Sequence, residues 1–93
     1  MSKSVSLTSR IKISDDVVSR NLQGEIVLLD LKTGSYYGLD AMGTIMWDLL
    51  QEHKSLEKVR GLLMEEYDIA EVQCTQDLLN FVSTLHDKKL IEC

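Results

Sequence analysis

At Asp40 the hydrophobic pattern of the chain changes from the spacing of strands to the spacing of helices. Before Asp40, short apolar runs are separated by polar and glycine-containing turns, which is typical of a small antiparallel sheet. After it, apolar residues recur every three or four positions in three successive segments, as in amphipathic helices. A chain of 93 residues is long enough for one domain only. Strands followed by helices predict an α+β fold of the winged helix-turn-helix-like kind.

The first part of the chain predicts a three-stranded antiparallel sheet. A first short strand covers 11–13, with a further extended piece at 17–18 and a turn over 21–24. The run 25–32 is almost continuously apolar, which predicts a central strand buried on both faces. After a hairpin loop, the segment 35–39 becomes the third strand, at the edge of the sheet.

Three helices are predicted after the sheet, each beginning at a polar residue that can accept a hydrogen bond from the first turn. They cover residues 40–52, 55–67 and 75–88, and their capping residues are Asp40, Ser55 and Thr75. Residues 11–93 then form the single domain. The serine-rich segment 1–10 is predicted to be flexible.

The net charge of −5 is unevenly distributed along the chain. Residues 1–20 carry four basic and two acidic side chains, a balance of +2, whereas the remainder carries six basic and thirteen acidic ones, a balance of −7. Proteins that bind nucleic acid concentrate lysine and arginine on one surface. An acidic domain predicts no nucleic-acid partner.

The sequence contains no motif for catalysis, metal binding or phosphate binding. His53 and His86 lack a second histidine four residues away, and Cys74 and Cys93 form no CxxC or Cys/His cluster. The GxxxxGK[ST], GxGxxG and GxSxG patterns are absent. We therefore expect a protein that is not an enzyme and has no metal or other cofactor. Two reduced cysteines and the lack of a long apolar run predict a cytoplasmic protein with no membrane partner.

Four segments together carry a resemblance to a known family. They are Val27-Leu28-Leu29-Asp30 with Thr33-Gly34-x-Tyr36-Tyr37-Gly38-Leu39-Asp40, Gly43-x-Ile45-Met46-Trp47-x-Leu49-Leu50, Ser55-Leu56-x-x-Val59 with Leu63 and Tyr67-Asp68-Ile69, and Asp77-Leu78-x-x-Phe81-Val82-x-x-Leu85 with Leu90-Ile91. Their order and spacing over 14–91 resemble the PqqD-like family, also called RiPP recognition elements, and most closely the stand-alone version found with lasso-peptide biosynthesis. Asp40 stands where the family often has asparagine. The chain lacks proline, unlike the stand-alone PqqD of pyrroloquinoline quinone synthesis, whose pattern includes a proline-glycine stretch.

The resemblance implies a function, which is to bind the leader segment of a ribosomally synthesised precursor peptide. The leader is expected to add as an antiparallel strand to the edge of strand 35–39, in a groove closed by helix 75–88. The resemblance also implies a partner enzyme, a transglutaminase-like leader peptidase, to which the bound precursor is presented.

The residues themselves are compatible with strand addition at 35–39. This segment has no charge and no proline, whereas Lys12, Asp15, Asp16 and Arg20 guard the other edge. On a helical wheel, one flank of the third helix lies beside its apolar stripe and is expected to face the groove. The predicted peptide-binding residues are Ser35, Tyr36, Tyr37, Gly38, Leu39, Asp77, Phe81, Thr84, Leu85 and Lys88. Which of the two tyrosines faces the groove is left open, and Phe81 fits the core equally well.

Two other functions are compatible with a winged-helix fold. A DNA-binding regulator would insert the third helix into the major groove, but residues 75–87 contain no arginine or lysine. A non-catalytic scaffold subunit would use the exposed strand 35–39 to form a dimer. Retention on heparin and size in solution distinguish these two functions from leader binding.

Overall fold

The computed structural model describes residues 6–92. Its elements are β1 (Lys12–Ile13), β2 (Val17–Leu22), β3 (Glu25–Asp30), β4 (Tyr36–Gly38), α1 (Ala41–His53), α2 (Leu56–Glu66), α3 (Glu71–Asp87) and β5 (Ile91–Glu92). Strands β2, β3 and β4 form an antiparallel sheet in that order, and β1 pairs with β5 in a separate ladder. The prediction of an α+β fold, with a three-stranded sheet followed by three helices, is confirmed.

The first strand of the sheet lies later in the chain than predicted. Strand β2 pairs with β3 along its whole length, so the expected turn over 21–24 is confined to Gln23 and Gly24. Their φ angles of 56° and 90° are those of a two-residue hairpin turn, whose backbone follows the twist of the strands. The segment 11–13 does not join this sheet, because β1 pairs with β5 and thereby connects the two ends of the domain.

The central strand β3 is fully buried on one face only. Ile26 and Leu28 face the core, with 4% and 0% of their surface exposed. Because side chains alternate along a strand, Val27 and Leu29 lie on the opposite face, where both are half-buried. The prediction of a strand buried on both faces is therefore wrong. This second surface of the sheet, hereafter the outer face, comprises Val18, Arg20, Leu22, Val27, Leu29 and Tyr36.

The first two helices begin at the predicted caps. Asp40 Oδ1 accepts a hydrogen bond from the Gly43 amide at 2.7 Å, and Ser55 Oγ accepts one from the Lys58 amide at 3.3 Å. Thr44 in α1 adds a tertiary link, because its hydroxyl accepts a hydrogen bond from the Ile26 amide of β3 at 3.0 Å. This bond ties the start of α1 to the sheet.

The third helix begins earlier than predicted, at Glu71. Thr75 is not its cap: the Thr75 hydroxyl lies within the helix and accepts a hydrogen bond from Arg60 Nη1 of α2 at 3.2 Å. Two interactions hold the additional turn against α2. Cys74 is buried one turn before the predicted apolar stripe, and Glu71 pairs with Arg60 at 3.3 Å. The residue before the helix, Ala70, offers no side-chain cap, so no capping signal marked this start.

One hydrophobic core lies between the sheet, the three helices and the β1–β5 ladder. Its largest fully buried side chains are Trp47, Leu28, Leu50, Leu56, Leu63, Leu78, Leu90, Val59, Val82 and Cys74.

Of the predicted flexible segment 1–10, residues 1–5 lie outside the described part. In residues 6–10, Leu7 packs against the core and Arg10 forms an isolated bridge with Ser55. None of the helices within residues 6–92 is long and apolar enough to cross a membrane.

Replacing Gly61 with alanine is expected to raise the free energy of unfolding by about 0.5–1 kcal/mol. Gly61 is exposed in the middle of α2, and a Cβ built there meets nothing within 4 Å. The gain therefore comes from helix propensity alone, and thermal unfolding should show a rise in Tm of about 2–8 °C. Gly43→Ala is the contrast, because its Cβ would lie 3.3 Å from Phe81. A Tm that does not rise in Gly61→Ala would contradict the prediction.

Candidate functional site

Strand β4 is an edge strand whose outward backbone groups have no partner strand in the described part of the chain. The Ser35 carbonyl accepts a hydrogen bond from Asp30 N, and Leu39 N donates to the Ile26 carbonyl, both at 2.8 Å. Residues 35 and 39 therefore point their backbone groups toward β3. Because these directions alternate along a strand, Tyr36 and Gly38 point their N–H and C=O groups away from the sheet. The open edge thus presents two pairs of donors and acceptors.

The two tyrosines of β4 lie on opposite faces of the sheet. Tyr37 is paired with Leu28, a core residue, so its side chain lies on the helix side, where it is half-buried against the core. Tyr36 is paired with Leu29 on the outer face and is 73% exposed. The structure therefore assigns Tyr37 to the helix side of the edge, which the sequence left open.

A groove separates β4 from α3 on the helix side. It encloses a cavity of about 490 Å³ that is open to solvent along the β4 edge. The predicted site residues that line it are Tyr37, Gly38, Leu39, Phe81, Thr84, Leu85 and Lys88, and Asp40, Gly43, Asn80 and Leu90 complete the wall. Leu85 is only 3% exposed, so it forms part of the floor. Backbone acceptors and donors therefore border a mainly apolar cavity, the combination used to bind extended peptides.

One end of this groove carries a positive charge. The Lys88 ammonium lies 4.8 Å from the centroid of the Tyr37 ring, within the range of a cation–π interaction. Lys88 is the only basic residue that lines the groove in the described part of the chain. The aromatic ring thus holds the lysine at the mouth of the cavity, next to the open strand.

The opposite end of the groove continues into a second cavity of about 280 Å³. It is lined by Asp40, Met42, Gly43, Met46, Asp77, Asn80 and Phe81. Four of these residues also line the first cavity, so the two form one continuous groove around the Phe81 ring. Two predicted residues, Ser35 and Tyr36, line neither cavity, and Tyr36 contributes to the edge through its backbone.

Phe81 is both a core residue and a wall of the groove. Its ring is half-buried, packs against the core cluster and lies next to Gly43 at the start of α1. A Cβ at Gly43 would lie 3.3 Å from Phe81 Cε1 and 3.1 Å from Asp40 Oδ1. Gly43 therefore allows the ring to approach α1 closely. Sequence reasoning examined only β4 and α3, so it missed the lining residues outside them, which are Asp40, Met42, Gly43, Met46 and Leu90, and on α3 itself it missed Asn80.

The placement of side chains that could ligate a metal and the buried thiol of Cys74 are two further features of residues 6–92. Among residues 6–92, no three His, Cys, Asp or Glu side chains lie close enough to hold a metal ion. Burial raises the pKa of the Cys74 thiol. The charge of Arg60 opposes this rise, and the carboxylate of Asp77 adds to it. A raised thiol pKa disfavours the thiolate at neutral pH, and the thiolate is the nucleophilic form.

Comparisons with known proteins agree with this geometry. The profile of the family described as coenzyme PQQ synthesis protein D (PqqD) matches residues 25–91. The structure of TbiB1 in complex with the TbiA(beta) leader peptide aligns with a TM-score of 0.83 and 43% sequence identity, over 87% of this chain and 94% of that one. A lasso peptide synthetase B1 complexed with the leader peptide aligns with a TM-score of 0.83, over 91% of this chain and 100% of that one, at 19% identity.

The second of these likenesses is one of fold, since its sequence identity is low. No curated protein sequence matches the chain. The family profile covers both β3 and β4 of the sheet and all three helices, and therefore every element that lines the groove. Such coverage by a single family profile, together with the 43% identical structure, shows that the chain belongs to the PqqD family, whose PqqD-like members are also called RiPP recognition elements.

Proposed function

We propose that this protein binds the leader segment of a ribosomally synthesised precursor peptide by strand addition to β4. The observation that carries the proposal is the open β4 edge, whose Tyr36 and Gly38 backbone groups border the apolar groove. A relative with 43% identity and the same fold was solved in complex with a leader peptide. Main-chain hydrogen bonds would set the register of the leader, and the groove would select its side chains.

The predicted peptide-binding residues fall into two groups under this proposal. Tyr36 and Gly38 act through their backbone groups at the edge. Tyr37, Leu39, Phe81, Thr84, Leu85 and Lys88 act through side chains that line the first cavity, and Asp77 lines the second. Ser35 lies next to the start of β4, where its carbonyl is already bonded to β3. The Thr84 hydroxyl donates to the Asn80 carbonyl at 3.0 Å, which leaves its oxygen able to accept a hydrogen bond.

The outer face supports a second part of the proposal, the presentation of the leader to a transglutaminase-like leader peptidase. Val18, Leu22 and Tyr36 are 44%, 54% and 73% exposed and lie together with the half-buried Val27 and Leu29. The exposed Arg20 lies among these apolar side chains. A cluster of exposed apolar side chains with a polar residue among them indicates an interaction site. It lies on the side of the sheet away from the groove, so an enzyme docked there would leave the groove free for the leader. The protein acts as an adaptor in this scheme, and the chemistry belongs to the peptidase.

The DNA-binding alternative is not favoured by the third helix. Within its bounds α3 contains no arginine or lysine, and it carries Glu71, Asp77 and Asp87. Such a helix would be repelled by phosphates in the major groove. Weak retention on heparin is the expected result. The scaffold alternative predicts a stable dimer through β4, which size-exclusion chromatography would detect.

Titration of the ¹⁵N-labelled protein with a candidate precursor leader tests the proposal. We expect large amide shifts confined to β4 and to the half of α3 that lines the groove, at leader concentrations of tens of μM or below, in keeping with an affinity of about −6 to −8 kcal/mol or stronger. Amides of α2, which contributes no residue to either cavity, serve as the internal control. Shifts that are absent, or that lie only outside the groove, would count against strand addition.

A further inference from the structure

The groove carries opposite charges at its two ends, and this asymmetry constrains the peptide that it accepts. Lys88 is the basic residue at one end, beside Tyr37. Asp77 lines only the second cavity, at the other end, and Asp40 lines both cavities. Within residues 6–92, none of the three belongs to an ion pair, because the ion pairs found there are Lys32–Asp16, His53–Glu52 and Arg60–Glu71. All three side chains are exposed and can meet charges of a bound peptide.

Both carboxylates keep an oxygen available for a ligand. Asp40 uses Oδ1 to cap α1, and Asp77 uses Oδ1 to accept a hydrogen bond from Gln73 Nε2 at 2.8 Å. In the described part of the chain, the Oδ2 atoms have no hydrogen-bond partner. Met42, Met46 and Phe81 line the same cavity as the two carboxylates, and the half-buried Met42 and Phe81 offer apolar surface there. A long basic side chain fits such a site, because its methylene stem can pack on apolar atoms while its charged end reaches a carboxylate.

The direction of β4 predicts the order in which a bound peptide must carry its charged residues. The chain of β4 leads toward Asp40, and Lys88 lies beside Tyr37, three residues before Asp40. A strand added antiparallel to β4 runs in the opposite direction. Its N-terminal end would therefore meet Asp40 and Asp77, and its C-terminal end would meet Lys88.

The helix sets the separation between the two charges. Asp77 and Lys88 are eleven residues apart at the two ends of the groove-facing side of α3, a rise of about 16 Å at ~1.5 Å per residue. An extended peptide covers that distance in about five residues. Since side chains on one face of a strand recur at every second position, the charged pair should be about four or six residues apart.

We propose that the groove selects leaders with a lysine or arginine about four or six residues before an aspartate or glutamate, with an apolar residue between them for the first cavity. This inference rests on the proposed function and adds the charge order of the ligand to it. Electrostatic complementarity of this kind supplies specificity and register more than affinity.

Selection from a displayed library of random twelve-residue peptides tests the charge order, with the immobilised full chain as bait. Wild-type protein should enrich basic-before-acidic peptides at this spacing. The Lys88→Glu protein should enrich peptides that carry a basic residue at the downstream position instead of an acidic one. The Asp77→Lys protein should enrich peptides that carry an acidic residue at the upstream position instead of a basic one. A synthesised wild-type winner should lose about tenfold in affinity for Lys88→Glu. Replacing the downstream acidic residue of this peptide with lysine should restore its affinity for the Lys88→Glu protein.

The possible outcomes distinguish a failure of the charge-order inference from a failure of the proposed leader-binding function. Apolar peptides enriched without charge order would overturn the charge inference and leave strand addition intact. Acidic-before-basic winners would overturn the antiparallel assignment. Lys12→Glu, a change of the same charge in β1 away from the groove, is the matched control and should leave the winners unchanged. Failure of the wild-type protein to enrich any peptide above bare matrix would overturn the proposed function itself.

Discussion

Replacing Gly38 with proline is expected to weaken leader binding by about 5- to 150-fold, because an unmade hydrogen bond at a buried edge costs about 1–3 kcal/mol. Proline removes the Gly38 N–H, which points away from the sheet, and places its ring where the leader backbone would lie. The β3–β4 ladder keeps its hydrogen bonds, since it uses the backbone groups of residues 35 and 39. Isothermal titration calorimetry with the leader measures the loss.

Gly38→Ala is the matched control for the proline variant. A Cβ at this position meets nothing within 4 Å and would project on the outer face, so alanine keeps the N–H and leaves the groove unchanged. We expect it to bind the leader within about twofold of wild type, because exposed substitutions of this kind change free energies by about 0.5 kcal/mol or less. Circular dichroism should show both variants folded. Tight binding by a folded Gly38→Pro protein would exclude strand addition at β4.

Local signals in the sequence were sufficient for most of the fold. Asp40 and Ser55 stand directly before apolar stripes, and each is a cap in the structure. Thr75 offers the same signal and is not a cap, because the hydroxyl is bound by Arg60 and the buried Cys74 extends the helix by a turn. Tertiary contacts between α2 and α3 decided that helix start, and no local pattern reports them.

The groove could be predicted only in part, for a similar reason. The alternation of a strand placed one of Tyr36 and Tyr37 on the groove side without telling which, and the helical wheel placed Phe81 and Lys88 on the flank of the third helix that faces it. The second cavity depends on α1 packing beside α3 through Gly43. Likewise, the apolar run of β3 does not tell whether its second face is covered. Val27 and Leu29 on that face, which is the outer face, are only half-buried, so the outer face is available to a partner.

The double variant Val18→Glu/Leu22→Glu is expected to slow cleavage of the leader by its peptidase at least about tenfold, since burying a carboxylate in an apolar interface costs several kcal/mol. Both residues lie on β2, the strand of the sheet farthest from the β4 edge, and both are exposed. Their substitution should therefore leave leader affinity within about twofold and the stability of the domain within about 1 kcal/mol. A leader-cleavage assay with the purified peptidase, alongside calorimetry, measures both effects.

Val72→Glu provides the matched control for this variant. Val72 is 71% exposed, but it lies on the first turn of α3, away from the sheet, and lines neither the groove nor the outer face. It adds one negative charge to the same acidic domain, against two in the double variant, so any general electrostatic repulsion of the peptidase would appear in both proteins and would be weaker in the control. Slowed cleavage in the sheet variant alone, at unchanged leader affinity, identifies the outer face as the docking surface. Equal cleavage rates in both would place the peptidase elsewhere on the domain, because an enzyme bound at the sheet must desolvate the two new carboxylates.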